Sequence, residues 1–147
     1  MDHPERSARG GELLAQMLGR DQAEQIRAAW RAISPEFESY VVEFLAGEIW
    51  SRSQLDLRTK SLITIATTAA LGRPRALELN LRMALNNGAS RREIVETLLH
   101  ILPYAGFPAA WEGLAMASEI FSKVGHQETE EYRPAAADED SRGRGRS

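Results

Sequence analysis

Apolar residues recur along this chain at spacings of three and four, the signature of helices that each bury one stripe. Leu13, Leu14, Met17 and Leu18 make a first stripe that ends near Gly19, and Ile26, Ala29, Trp30 and Ile33 predict a helix over residues 21–32. Ser34-Pro35-Glu36 is a start signal: a capping hydroxyl, a proline at the first helical position, then an acid suited to the positive helix end. That helix is expected to run through Phe37, Tyr40, Val41, Phe44 and Leu45 to Trp50, with a loop over residues 51–55 behind it. Asp56 can cap the next helix, whose Leu62, Ile65, Ala66 and Ala69 share a face, and Gly72 stops it. Pro74 then opens a helix in which Leu77, Leu81 and Leu85 repeat every four residues. The two form a central αα-hairpin with a broad apolar contact.

Beyond Gly88, Ser90 and Glu93 form an S-x-x-E capping box, and Ile94, Leu98 and Ile101 lie on one face. Pro103 ends or kinks that helix. Pro108 reopens one carrying Leu114, Ala117, Phe121 and Val124, with Tyr104 and Phe107 in the bend between. The reading is therefore all-α. A flexible N-terminus is expected over residues 1–9, a helical domain over 10–125 and a disordered tail over 126–147, where aliphatic residues almost vanish.

Composition narrows the chemistry. At 147 residues the chain is long enough to bury a core without staples, and a net charge of −3 implies no polyanion partner. The terminal RGRGR is too short to make a nucleic-acid-binding protein. Without cysteine there is neither a disulfide nor a thiol redox centre. Histidines 3, 100 and 126 are scattered and lack metal-ligand spacing, so no metal site is expected. No signal-peptide core and no run of membrane-span length is visible, so a cytoplasmic protein with no membrane partner is expected.

The order GEIW, L-D-x-R-T-K-S-L, A-x-L-G-R, L-x-x-R-x-A-L-x-N-G and R-E-I-V-E-x-L-L-x-x-x-x-Y-A-G-F-P-A-A resembles the carboxymuconolactone decarboxylase family over roughly residues 10–124. The resemblance implies an AhpD-like helical bundle, shared with the small thiol peroxidases of the same superfamily and built around the central hairpin. It also implies assembly into trimers or hexamers, a site between helices, no cofactor, and a small-molecule substrate from aromatic compound catabolism. The redox relatives use a Glu, a C-x-x-C and a His; the matching places here hold Ser61, Arg73, Ala76 and Asn80. Peroxidase chemistry needs a thiolate, which this chain cannot supply.

The decarboxylase branch usually keeps a histidine in L-H-x-R-x-A, where this chain reads Leu79-Asn80-Leu81-Arg82-Met83-Ala84. Asn80 cannot exchange a proton near neutrality, but its amide can donate to a developing oxyanion; a lost site or a plain surface Asn is the alternative. Glu48, inside GEIW and among apolar neighbours, is a candidate acid if desolvation raises its pKa, or else an exposed or Arg-paired carboxylate. His100, apolar on both sides, is either an ordinary core or interface histidine or a relocated general acid. Arg58, Arg73 and Arg82 are guanidiniums that could grip a carboxylate or form surface pairs. Trp50, Tyr104, Phe107 and Trp111 are candidate walls of a substrate pocket, or core and interface aromatics.

The family reaction removes a carboxyl group from an unsaturated lactone without a cofactor, sending the electrons into the lactone carbonyl as a dienolate. Donors at that oxygen, an apolar wall at the departing carboxylate and an acid for the carbon are what such a site needs. A tailoring enzyme on a larger enolisable metabolite (an isomerase, dehydratase or cyclase) and an inert oligomeric ligand-binding protein are the alternatives.

Overall fold

The computed structural model of the chain describes residues 2–124, which are helical throughout except for short turns. Helix α1 (His3–Leu18) is followed by α2 (Arg20–Ile33) and α3 (Pro35–Tyr40), and α3 runs on without a break as a π-helical segment, Val41–Trp50. Then come α4 (Leu57–Ala70), α5 (Pro74–Asn86), α6 (Arg91–His100), the short α7 (Leu102–Ala105) and α8 (Phe107–Val124). No strand occurs among the described residues. The tail expected over 126–147 lies outside them.

The local signals act as their chemistry dictates. Ser34 accepts from the Phe37 amide, Asp56 from Thr59, and Ser90 with Glu93 closes a reciprocal capping box. Gly72, at φ 67°, takes the left-handed position that ends α4. The Arg73 amide then reaches back to the Thr68 carbonyl and the Gly72 amide to Ala69, so the hairpin turn leaves few orphan carbonyls.

Residues 1–9 depart from the expectation of a flexible terminus. Asp2 and Glu5 form a capping box, Pro4 sits in the first turn, and α1 is helical from His3. What holds this end down is a close approach of backbones. Gly10 and Gly47 are both buried, and a Cβ on Gly10 would stand 1.7 Å from the Val42 carbonyl oxygen, one on Gly47 2.6 Å from the Arg6 carbonyl oxygen. Two small residues let α1 lie directly on the π segment.

Two cores result. Ile65, Ala69, Leu77, Leu81, Ile94, Leu98, Ala117 and Ile120 belong to one, between α4, α5, α6 and α8. Leu14, Met17, Val42, Ala46, Trp50 and Met83 belong to the other, between α1, the π segment and α5. Helix α5 serves both, with Leu77 and Leu81 on one side and Met83 on another.

Glu38 fastens α3 to α2. It is buried and accepts from Arg27 Nε at 2.8 Å and Arg31 Nη2 at 3.2 Å. Burial pushes its carboxyl up, but the hydrogen bonds and charges of the two arginines outweigh this and hold it below its ordinary value of 4.5. Glu38→Gln is therefore expected to cost about 1–3 kcal/mol at neutral pH. Because the folded value is the lower one, this stabilisation is complete above the unfolded value and is lost as pH falls through the folded value. Thermal melts of the two proteins should differ at pH 7 and converge in acid; a constant gap would show that Glu38 acts through packing alone.

Candidate functional site

Side-chain bonds from α4 join it to the end of the π segment, to the turn after α5 and to α6, linking most of the motifs singled out in the sequence. Lys60 Nζ donates to the carbonyls of Trp50 at 2.8 Å and Ile49 at 3.4 Å, and to that of Arg52, so it caps the end of the π segment. Burial, and then the charge of Arg52, hold its ammonium below the usual lysine range. Asn87 Nδ2 donates at 2.9 Å to the hydroxyl of Ser61, which is wholly buried. Arg58 pairs with Glu93, whose other oxygen accepts from the Ser90 amide at 3.0 Å. Much of the motif pattern is thus joinery between helices. Lys60, Ser61 and Asn87 are not legible as partners in the sequence, because a polar residue on a helix gives no sign of a mate 8 to 26 positions away.

Against this frame the predicted site residues separate. Glu48, on the π segment, is 40% exposed in its side chain and pairs with Arg6 Nη1 of α1 at 3.0 Å, which makes it the Arg-paired carboxylate among the alternatives rather than a desolvated one. Asn80 is half-buried on α5 and donates from Nδ2 to the Ala76 carbonyl of its own helix at 2.8 Å. An amide nitrogen has two protons, so one remains for a ligand. His100 is exposed at the end of α6, its ring 5.6 Å from that of Tyr104. No hydrogen bond, ion pair or ring contact joins Glu48, Asn80 and His100 to one another among the described residues.

The candidate binding residues divide in the same way. Trp50 is buried in the core that also holds Met83, one turn beyond Asn80. Tyr104, Phe107 and Trp111 stand 75–81% exposed around α7 and the start of α8. Arg58 is committed to Glu93, and Arg73 is exposed at the hairpin turn. Arg82 lies 3.4 Å from Glu78 and borders a cavity between α2 and α5. Arg82 and Asn80 are two residues apart, so about 200° of helix turn points them to different sides of α5. Groups that could hold a metal, three or more of His, Cys, Asp and Glu together, are absent among the described residues. No helix there is long and apolar enough to cross a membrane.

This thiol-free chain, helical over its described residues and with its motifs gathered around the α4–α5 hairpin, belongs to the carboxymuconolactone decarboxylase family, whose model matches residues 35–119. It is 35% identical over 125 residues to the 4-carboxymuconolactone decarboxylase of Acinetobacter baylyi, covering 85% of this chain and 93% of that one. It is also 31% identical over 98 residues to an uncharacterized 15.0 kDa protein of Paracoccus denitrificans, covering 65% and 72%. With the nitrosuccinic acid decarboxylase npaB of Metarhizium robertsii it shares 32% identity over 89 residues, covering 59% and 61%.

Proposed function

We propose that this protein is a cofactor-independent carboxy-lyase acting on 4-carboxymuconolactone or a closely related small carboxylated lactone. The observation that carries the reading is the 35% identity to a 4-carboxymuconolactone decarboxylase over 93% of that enzyme's length.

In the mechanism, the bond to the carboxyl carbon breaks and its electron pair moves through the C=C into the lactone carbonyl. The remaining amide proton of Asn80 donates to that oxygen as charge develops. Glu48 then passes a proton taken up from solvent to the dienolate carbon, and Arg6 beside it orients the carboxylate. The apolar wall comes from exposed aromatics of a second copy. Tyr104, Phe107 and Trp111, together with Tyr40 and Phe44 on the outer face of α3 and the π segment, leave more apolar surface in water than a monomer of this size would. A trimer or hexamer covers it.

The relative named for nitrosuccinic acid favours a second substrate class. A nitro group, like a lactone carbonyl, can accept the electron pair left by CO2, so the scaffold suits any small acid whose carbanion is stabilised this way. Incubation with 4-carboxymuconolactone should release CO2 stoichiometrically, and sedimentation at micromolar concentration should show an oligomer. CO2 release from the nitro acid alone would move the assignment to that class. A monomer, or an oligomer inert on both substrates, would remove the proposal.

A further inference from the structure

Between α2 and α5, on a different side of α5 from Asn80, lies an open cavity of about 640 Å³, within the size range of small-molecule sites. Its floor is apolar, from Leu18, Ile26, Leu79 and Leu85. Three charged groups line it, Arg75, Arg82 and Glu78, with the amides of Gln22 and Gln25 opposite on α2. Two cations against one acid leave the lining net positive, in a chain whose overall charge is −3.

The two guanidiniums are available. Arg75 makes no hydrogen bond or ion pair with any of the described residues. The 3.4 Å contact between Arg82 and Glu78 is long, and both side chains are 40% or more exposed, so it holds the guanidinium weakly. Arg75 and Arg82 are seven residues apart, two helical turns, and therefore stand on one stripe of α5 above the same apolar floor. Guanidinium groups over aliphatic surface accept a planar carboxylate in bidentate fashion while its hydrocarbon body covers the floor.

We propose that this cavity binds a small organic carboxylate with a compact ring-sized apolar body, seated on Arg75 and Arg82. The site is separate from the face of α5 that carries Asn80, and its binding does not depend on the decarboxylase reading. Two sources share this chemistry: a further molecule of the enzyme's own product acting away from the Asn80 face, and an unrelated acid acting as an effector.

Ligand-observed NMR titration of the full chain with benzoate tests it without turnover. Saturable binding is expected, weakened about tenfold or more in the Arg75→Gln/Arg82→Gln double variant. Benzamide, the neutral isostere, should bind correspondingly worse, and Arg92→Gln, a charge removed elsewhere on the surface, should bind benzoate like the parent. No binding of benzoate, equal binding of benzamide, or an unaltered double variant would overturn the proposal. A kinetic arm separates the sources. Loss of product inhibition with KM and kcat retained in Arg75→Gln makes the enzyme's own product the occupant, whereas unchanged product inhibition with benzoate binding lost makes it a site for an unrelated acid; either upholds the site itself.

Discussion

Gly10→Ala is expected to destabilise the protein by about 3 kcal/mol or more, at the top of the range for overpacking. The added Cβ would stand 1.7 Å from the Val42 carbonyl oxygen and 2.8 Å from its carbon. Both are backbone atoms and cannot swing aside, so α1 would have to lift from the π segment. Leu14, Met17, Val42 and Ala46 would then lose their packing. Gly11→Ala is the matched control. Its Cβ would meet only the flexible Arg27 side chain, at 3.3 Å, and alanine favours a helix interior by roughly 1 kcal/mol over glycine. Chemical denaturation should show a sharp loss for the first variant and none for the second. Equal midpoints would mean that α1 and the π segment do not approach this closely in solution.

Glu48→Gln is expected to lower turnover by roughly 10²–10⁴-fold, the usual worth of a general acid. The substitution keeps shape and one acceptor for Arg6, so stability should fall by about 1 kcal/mol or less, as for an exposed pair. His100→Gln should be mild, since His100 is exposed beside Tyr104 and bonded to neither Glu48 nor Asn80. Asn80→His serves as the companion variant. It should be neutral or helpful on the carboxylated lactone and harmful on a different native substrate. If His100→Gln proves inactive while Glu48→Gln is normal, proton delivery belongs to the end of α6, and the Glu48–Arg6 pair is only a clamp.

The helices were legible because their signals are local. Ser34, Asp56 and Ser90 cap the residues three positions on, and Gly72 turns the chain by its own φ. The hairpin core was legible for the same reason, since Ile65, Ala69, Leu77 and Leu81 repeat at helical spacing and are buried. The stretch from Phe37 to Trp50 was legible as a helix but not in its buried face. Hydrophobicity marks Phe37, Tyr40, Phe44 and Leu45 as its apolar residues without saying which face is buried; all four are exposed, while Val42, Ala46, Gly47 and Trp50 face the core. The wider π turn alters which residues share a face, and the contact with α1 selects small residues, for which hydropathy is a poor guide. Site residues were the least legible. Motif order names candidates but cannot distinguish a group that touches substrate from one, like Arg58, whose charge is spent on a neighbouring cap.

Because α5 contributes to both cores, the two halves of the fold share one structural member. An N-terminal unit of α1 and the π segment cannot detach without exposing Met83, and the hairpin cannot open without unseating Leu77 and Leu81 from the same rod. Local excursions are therefore confined to the periphery, and the α5 amides should exchange with solvent deuterium only when the whole domain opens. A helix so shared is a steady platform: groups on its different sides, the Asn80 amide and the Arg75–Arg82 pair among them, keep a constant spacing while the outer helices breathe.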